Sequence, residues 1–396
     1  MVRLGTQPVL WLQVWSLAGM QGAIVLTWVI YNLYLPKLLA NFGFPAGLAI
    51  TILLIENVLA AVMEPLMGGL SDRTQRNMGT RFPFIALGII LSSGLFIAIP
   101  GVVFAGVEST VRGLLPWVAV FWALAMTLFR SPAMSLLGRY AFATQLPQAV
   151  SILTLVGAVA GAIAPLANQQ VLQLGPTLAF GLGAMVLLIS GLVLRSVDPQ
   201  MSSVPRTTSL PKPHWKFTDW VGRLGLVAIT GFGVAIGFRL MLQTFPQVLE
   251  LRLPDVNSNL LLGLIFLAIA ATAIPAGNLT QRIGNFQAML LGLGALSLTQ
   301  LLTLWMNHWV LAIGIAILMG AAFSLVSNGT LPFALSMVPP TKAGLGTGIY
   351  FSGGSLGTAM FFSLIQVEQA TAGALLGALA FLLAAGCVAL SYKMET

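Results

Sequence analysis

Charge is what this chain has least of: only 7% of its 396 residues are Asp, Glu, Lys or Arg, while 58% are hydrophobic. A soluble protein of this length would expose far more charged surface, because such side chains are seldom fully buried. Cysteine occurs once, at Cys387, which excludes an intramolecular disulfide. Histidine occurs twice, at His214 and His308, which is too little for a metal cluster, so both read as interfacial residues. No nucleophile–base pair stands out, so an enzyme is not expected. Strict apolar–polar alternation is also missing, which excludes a membrane barrel.

Long apolar runs are what the chain does have. A spanning helix needs about 20 mostly apolar residues. Breaks rich in Pro, Gly or charge divide the sequence into twelve such segments. They are centred near Ile24, Leu54, Leu91, Phe121, Val156, Leu187, Gly233, Leu267, Leu296, Ala316, Gly354 and Leu382. The expected fold is all-α and polytopic, with twelve transmembrane helices and the lipid bilayer as its surroundings.

The formal charge of +8 is not a nucleic-acid footprint, and no nucleic-acid partner is expected. With the N-terminus inside, the cytoplasmic segments carry Arg3, Arg73, Arg76, Arg81, Arg139, Arg195, Arg206, Lys212, Lys216, Arg223, Arg282, Lys342 and Lys393. The opposite side carries only Lys37, Arg112 and Arg252. This bias follows the positive-inside rule and places both termini in the cytoplasm, with the plasma (inner) membrane the expected location. The segment after Arg3 runs into a full-length span with no small-residue cleavage site, so it reads as a retained first helix.

A polar interval with Pro199, Pro205, Pro211 and Pro213 divides the chain. It predicts a six-helix bundle over 1–196, a cytoplasmic linker over 197–219 and a second bundle over 220–396. The halves echo one another weakly. Pro132-Ala-Met-Ser-Leu-Leu137 answers Pro332-Phe-Ala-Leu-Ser-Met337, and Gly157-x-x-x-Gly161 answers Gly353-x-x-x-Gly357. Gly277-Asn-Leu-Thr-Gln-Arg-Ile-Gly284 looks like a degraded copy of the charged stretch after the second helix.

That charged stretch, Gly69-Leu-Ser-Asp-Arg-Thr-Gln-Arg-Asn-Met-Gly-Thr-Arg81, reads as a loop holding Asp72, Arg73, Arg76 and Arg81. It resembles the helix 2–helix 3 loop of major facilitator superfamily transporters. The resemblance implies two six-helix halves rocking about a central site, with Asp72 and the arginines forming a gate against helix 11. Three further runs, Asn41-Phe-Gly-Phe-Pro45, Glu64-Pro-Leu-Met-Gly68 and Arg130-Ser-Pro-Ala-Met-Ser-Leu-Leu137, resemble the glycoside–pentoside–hexuronide and sucrose symporter branch. In that branch acidic residues on helix 2 take part in cation coupling. Arg139 departs from the pattern, standing where the branch has an aspartate.

Charge within a bilayer costs roughly 2.5–3.5 kcal/mol per residue on insertion scales, so it marks functional candidates. Glu56 and Glu64 on the second helix are eight residues apart and share a face, with Asn57 beside them. Counting 1.5 Å per residue from Asp72 and Arg139 puts Glu64 and Arg130 level, about 12–13 Å deep. The same count sets Glu56 level with Arg239 on the seventh helix, predicting an outer gate pair. Trp28, Asn32, Arg130 and Gln243 are the candidates for holding substrate, while Trp11 and Trp15 read as interfacial anchors.

The expected function is secondary active transport, a cation-coupled symport of a small organic solute. A sugar or glycoside is favoured over a lipid or pigment; the remaining alternative is a non-transporting assembly factor on the same scaffold. No cofactor is expected beyond a coupling proton or sodium ion, and the expected unit is a monomer.

Overall fold

The computed structural model describes residues 9–104, 109–198, 217–364 and 369–394. Every regular element among them is helical. Twelve long helices follow in order: α1 Trp11–Asn41, α2 Gly47–Met78, α3 Phe82–Phe104, α4 Ser109–Met134, α5 Leu146–Leu166, α6 Gly175–Val197, α7 Phe217–Arg252, α8 Ser258–Ile283, α9 Asn285–Leu302, α10 Trp309–Ser336, α11 Ala343–Leu364 and α12 Ala370–Lys393. Each holds one of the twelve predicted centres. The predicted linker lies almost wholly outside the described residues, and α7 starts at Phe217, before the expected boundary.

Among the described residues, eleven helices are long and apolar enough to cross a membrane. The remaining one, α11, carries Gly344, Gly346, Gly348, Gly353, Gly354 and Gly357. Its neighbours explain that composition, because it packs along α2 on one side and α7 on the other. A helix enclosed by helices needs small residues that permit close approach more than it needs lipid-facing bulk. Two hydrophobic cores result. One runs from Val9 to Leu194 with Leu331 added; the other runs from Val227 to Val388 with Ala158 added.

The cores meet along two seams, α2 against α11 and α5 against α8. Glycines make both possible. A Cβ on Gly68 would strike the Gly344 carbonyl, and one on Gly277 would lie 3.0 Å from the Pro147 carbonyl. Gly161, from the predicted small-residue pair, likewise sits against the Phe266 ring across the second seam. Gly353 and Gly357 instead face α7 within their own half.

One boundary differs from the expectation. The charged stretch is not a loop from Gly69: α2 stays helical through it to Met78 and stops at Gly79, whose φ of 78° is left-handed. The glycine pair serves helix contact rather than a turn, and Gly79 supplies the termination that a Cβ would oppose.

Candidate transport site

Helix α2 builds the centre of the molecule. Pro65 has no N–H, so the Ala61 carbonyl one turn earlier loses its helical partner. Ser352 on α11 donates to that carbonyl at 2.5 Å, so a defect in one half is satisfied from the other. Gly348 lets α11 come this close, because a Cβ there would lie 2.5 Å from the Glu64 carbonyl oxygen.

Glu64 precedes this proline. Its side chain is 0% exposed, and Arg130 Nη1 of α4 lies 3.6 Å from its Oε1. Neither Glu64 carboxylate oxygen accepts a hydrogen bond from the described protein. Arg130 is 34% exposed, and its guanidinium lies 4.2 Å from the centre of the Phe351 ring on α11. The arginine therefore stands between an acid in its own half and an aromatic ring in the other.

A cavity of about 30 Å³, measured at water-molecule centres, opens beside this pair. Trp28, Glu56, Asn57, Glu64, Thr127, Arg130 and Ser355 line it, with alanines and Met126 between them. Of the residues expected to hold substrate, Trp28 and Arg130 meet here. Asn32 is exposed, and Gln243 is not among the lining residues. A separate space of about 270 Å³ between α2, α3 and α4 is lined by seven hydrophobic side chains and has no polar group to orient a solute.

Glu56 and Arg239 do not form the expected pair. Glu56 is 2% exposed and accepts a hydrogen bond from Tyr31 on α1, while Arg239 sits 5.6 Å from the Phe362 ring. Counting residues fixes height along a helix and leaves direction around the bundle undetermined. Tyr31 belongs to an aromatic group with Trp28, Phe96 and Trp122; the Tyr31 and Trp122 ring centroids are 4.4 Å apart. Trp122, Thr127, Ser352, Phe351 and Ser355 carry no mark in the sequence that would have singled them out.

At the end of the bundle near Gly79, Asp72 caps α11 from the opposite half. Its Oδ1 accepts from the Gly344 amide and its Oδ2 from the Leu345 amide, each at 2.9 Å. These are first-turn amides, where the helix has free donors and a partial positive charge. Arg81 Nη2 donates to Asp72 Oδ1 at 2.5 Å and ties the cluster to Gln75 and Ser135. Burial lowers the Arg81 pKa from the usual guanidinium range to about 10, with Asp72 opposing that shift, so it stays cationic at neutral pH. Arg73 and Arg76 project to exposed positions and contribute nothing to this cluster, since the continuing helix carries them away from α11.

The sequence profile of the Major Facilitator Superfamily matches residues 17–362, most of the twelve helices. The chain belongs to this superfamily. It is a multi-pass membrane protein of the secondary-active transporter kind, moving a small molecule rather than transforming one. No curated protein matches this facilitator chain. Solved structures do. The human organic anion transporter MFSD10 (TETRAN) is 15% identical with a TM-score of 0.69, covering 96% of this chain and all of its own. A bacterial homologue of the iron transporter ferroportin, in an outward-facing state, is 17% identical with a TM-score of 0.76, over 96% of this chain and 99% of its own. The same homologue soaked with iron gives 17% and 0.74, over 95% and 98%. At these identities the likeness is one of fold.

Proposed function

We propose that this facilitator is a cation-coupled symporter of a small organic solute, with Glu64 and Arg130 as the coupling pair. One observation carries the reading: a fully buried glutamate without hydrogen bonds is held by an arginine that also contacts the other half. Burial disfavours a charged carboxylate and a nearby cation favours it. Taking up a proton therefore weakens the hold on Arg130, and releasing the proton restores it. A proton suits the site better than sodium, which requires a shell of several oxygens where Glu64 has a guanidinium.

The bundle end bearing Asp72 is assigned to the cytoplasm, with both termini, from the distribution of basic residues. The conformation is assigned as outward-facing. Its cross-half hydrogen bonds from Asp72, Ser131 and Gln148 cluster toward that end, and the similar ferroportin homologue is described in that state. Asp72 and Arg81 serve as the gate, and the bundles act as units over 1–196 and 220–396. Within the superfamily, the sequence runs around Glu64 and Arg130 support the glycoside–pentoside–hexuronide branch. The working unit in this reading is a monomer in the plasma membrane.

Uptake into proteoliposomes under an imposed proton gradient, across a panel of sugars, amines, carboxylates and lipids, tests the proposal. Accumulation that a protonophore collapses supports it. Downhill movement of substrate with no response to the gradient contradicts it.

A further inference from the structure

We propose that the cavity between α1, α2 and α4 holds the ammonium head of a small organic cation, with Glu56 as its counter-charge. This rests on the transport reading above and names the class of solute. The argument is an inventory of hydrogen-bonding groups. Asn57 Nδ2 donates to the Leu53 carbonyl at 2.8 Å, and Thr127 Oγ1 donates to the Leu124 carbonyl at 2.7 Å. One N–H of Asn57 and the Thr127 hydroxyl are thus committed to their own helices, and Arg130 is held between Glu64 and Phe351. The lining residues also carry acceptors without a donor: Glu56 Oε2 and both oxygens of Glu64 accept no hydrogen bond. The two carboxyl groups belong to residues only 2% and 0% exposed. Such groups in an interior are ordinarily satisfied, so three open acceptors around one space specify a ligand that donates.

Charge points the same way. Burial disfavours an ionised Glu56 unless a cation joins it. A bound ammonium supplies that cation: with both glutamates then ionised, two negative charges face two positive ones, those of Arg130 and the ligand. An anion would meet two carboxyl groups against one guanidinium, that of Arg130, which Glu64 already engages. A sugar hydroxyl could donate but would leave the charge unmatched.

Position selects Glu56 over Glu64. Arg130 already neutralises Glu64 at 3.6 Å, whereas the Tyr31 hydroxyl engages only Oε1 of Glu56 and leaves Oε2 free. The Trp28 indole lines the same space and offers a ring face, which attracts cations. The cavity, at about 30 Å³, admits something the size of a water molecule, and an ammonium group is about that size. Ala60, Ala123 and Met126 supply apolar wall for the adjoining alkyl part.

The test uses the full chain in lipid nanodiscs with three probes sharing one alkyl chain: n-butylammonium, n-butyrate and n-butanol. Binding is followed by tryptophan emission, to which Trp28 and Trp122 contribute, with sodium chloride as the control for an inorganic cation. Saturable binding of butylammonium alone is expected. Glu56→Gln should weaken it by about tenfold or more, as removing one partner of a buried charge pair does. Tyr31→Phe keeps the carboxylate and should retain binding, which separates loss of the charge from loss of the fold. An equal response to butyrate or butanol, displacement by sodium, or parental affinity in Glu56→Gln would overturn the inference. Binding is read without a gradient. Absent ammonium binding with intact proton-driven transport therefore overturns this inference alone, whereas ammonium binding without transport overturns only the functional proposal.

Discussion

Ser352 of α11 donates to the Ala61 carbonyl of α2 at 2.5 Å, and it does so at the carbonyl that Pro65 leaves without a helical partner. The bond joins the two halves beside Glu64. Ser352→Ala would leave that carbonyl unsatisfied at a cost of about 1–3 kcal/mol. The closed seam should lose that much stability relative to the separated one. In a Pro65→Ala background the helix regains its own donor, so the same serine substitution should cost little. A double-mutant cycle on thermal stability in detergent checks this, and equal costs in both backgrounds would contradict it.

Asp72→Asn should move the balance between conformations by about 1–3 kcal/mol toward opening of the Gly79 end. The variant keeps the shape of the side chain and removes the charge that caps α11 and pairs with Arg81. Distances between spin labels on the two halves measure the populations. An unchanged distribution would exclude a gating role for Asp72.

Glycine substitutions along α11 should separate close contact from mere flexibility. A Cβ at Gly348 would lie 2.5 Å from the Glu64 carbonyl oxygen and 2.9 Å from the Pro65 Cα, backbone atoms that cannot swing aside. At Gly354 the nearest atom would be the Ala235 Cβ at 3.7 Å, an ordinary contact. Gly348→Ala should force the seam apart and reduce transport severely, while Gly354→Ala should be tolerated. Similar transport rates in the two variants would refute the account of the seam.

These contacts show what a sequence can and cannot disclose. The twelve spans were legible because bilayer thickness imposes one length on every crossing. The Glu64–Arg130 pair was legible because both depths could be counted from charged residues at helix ends. The Glu56–Arg239 contact is not made in this conformation; depth carries no information on direction around the bundle, and Tyr31 meets Glu56 instead. The end of α2 was misplaced because Gly68, Gly69 and four charged residues resemble a loop, while the glycine in fact admits α11. Pro65 announces a free carbonyl, but its partner lies 291 residues further on, where only the fold reveals it.

The central claim is that the charge on Glu64 controls its hold on Arg130 and, through Phe351, the packing of one half on the other. Its most direct measurement is uptake by Glu64→Gln in proteoliposomes, with and without a proton gradient. The glutamine cannot gain or lose the proton, so gradient-driven accumulation should vanish while substrate exchange across equal concentrations partly persists. A Glu64→Gln protein that still concentrates substrate against its gradient would contradict the claim and leave Glu64 a structural ion-pair residue.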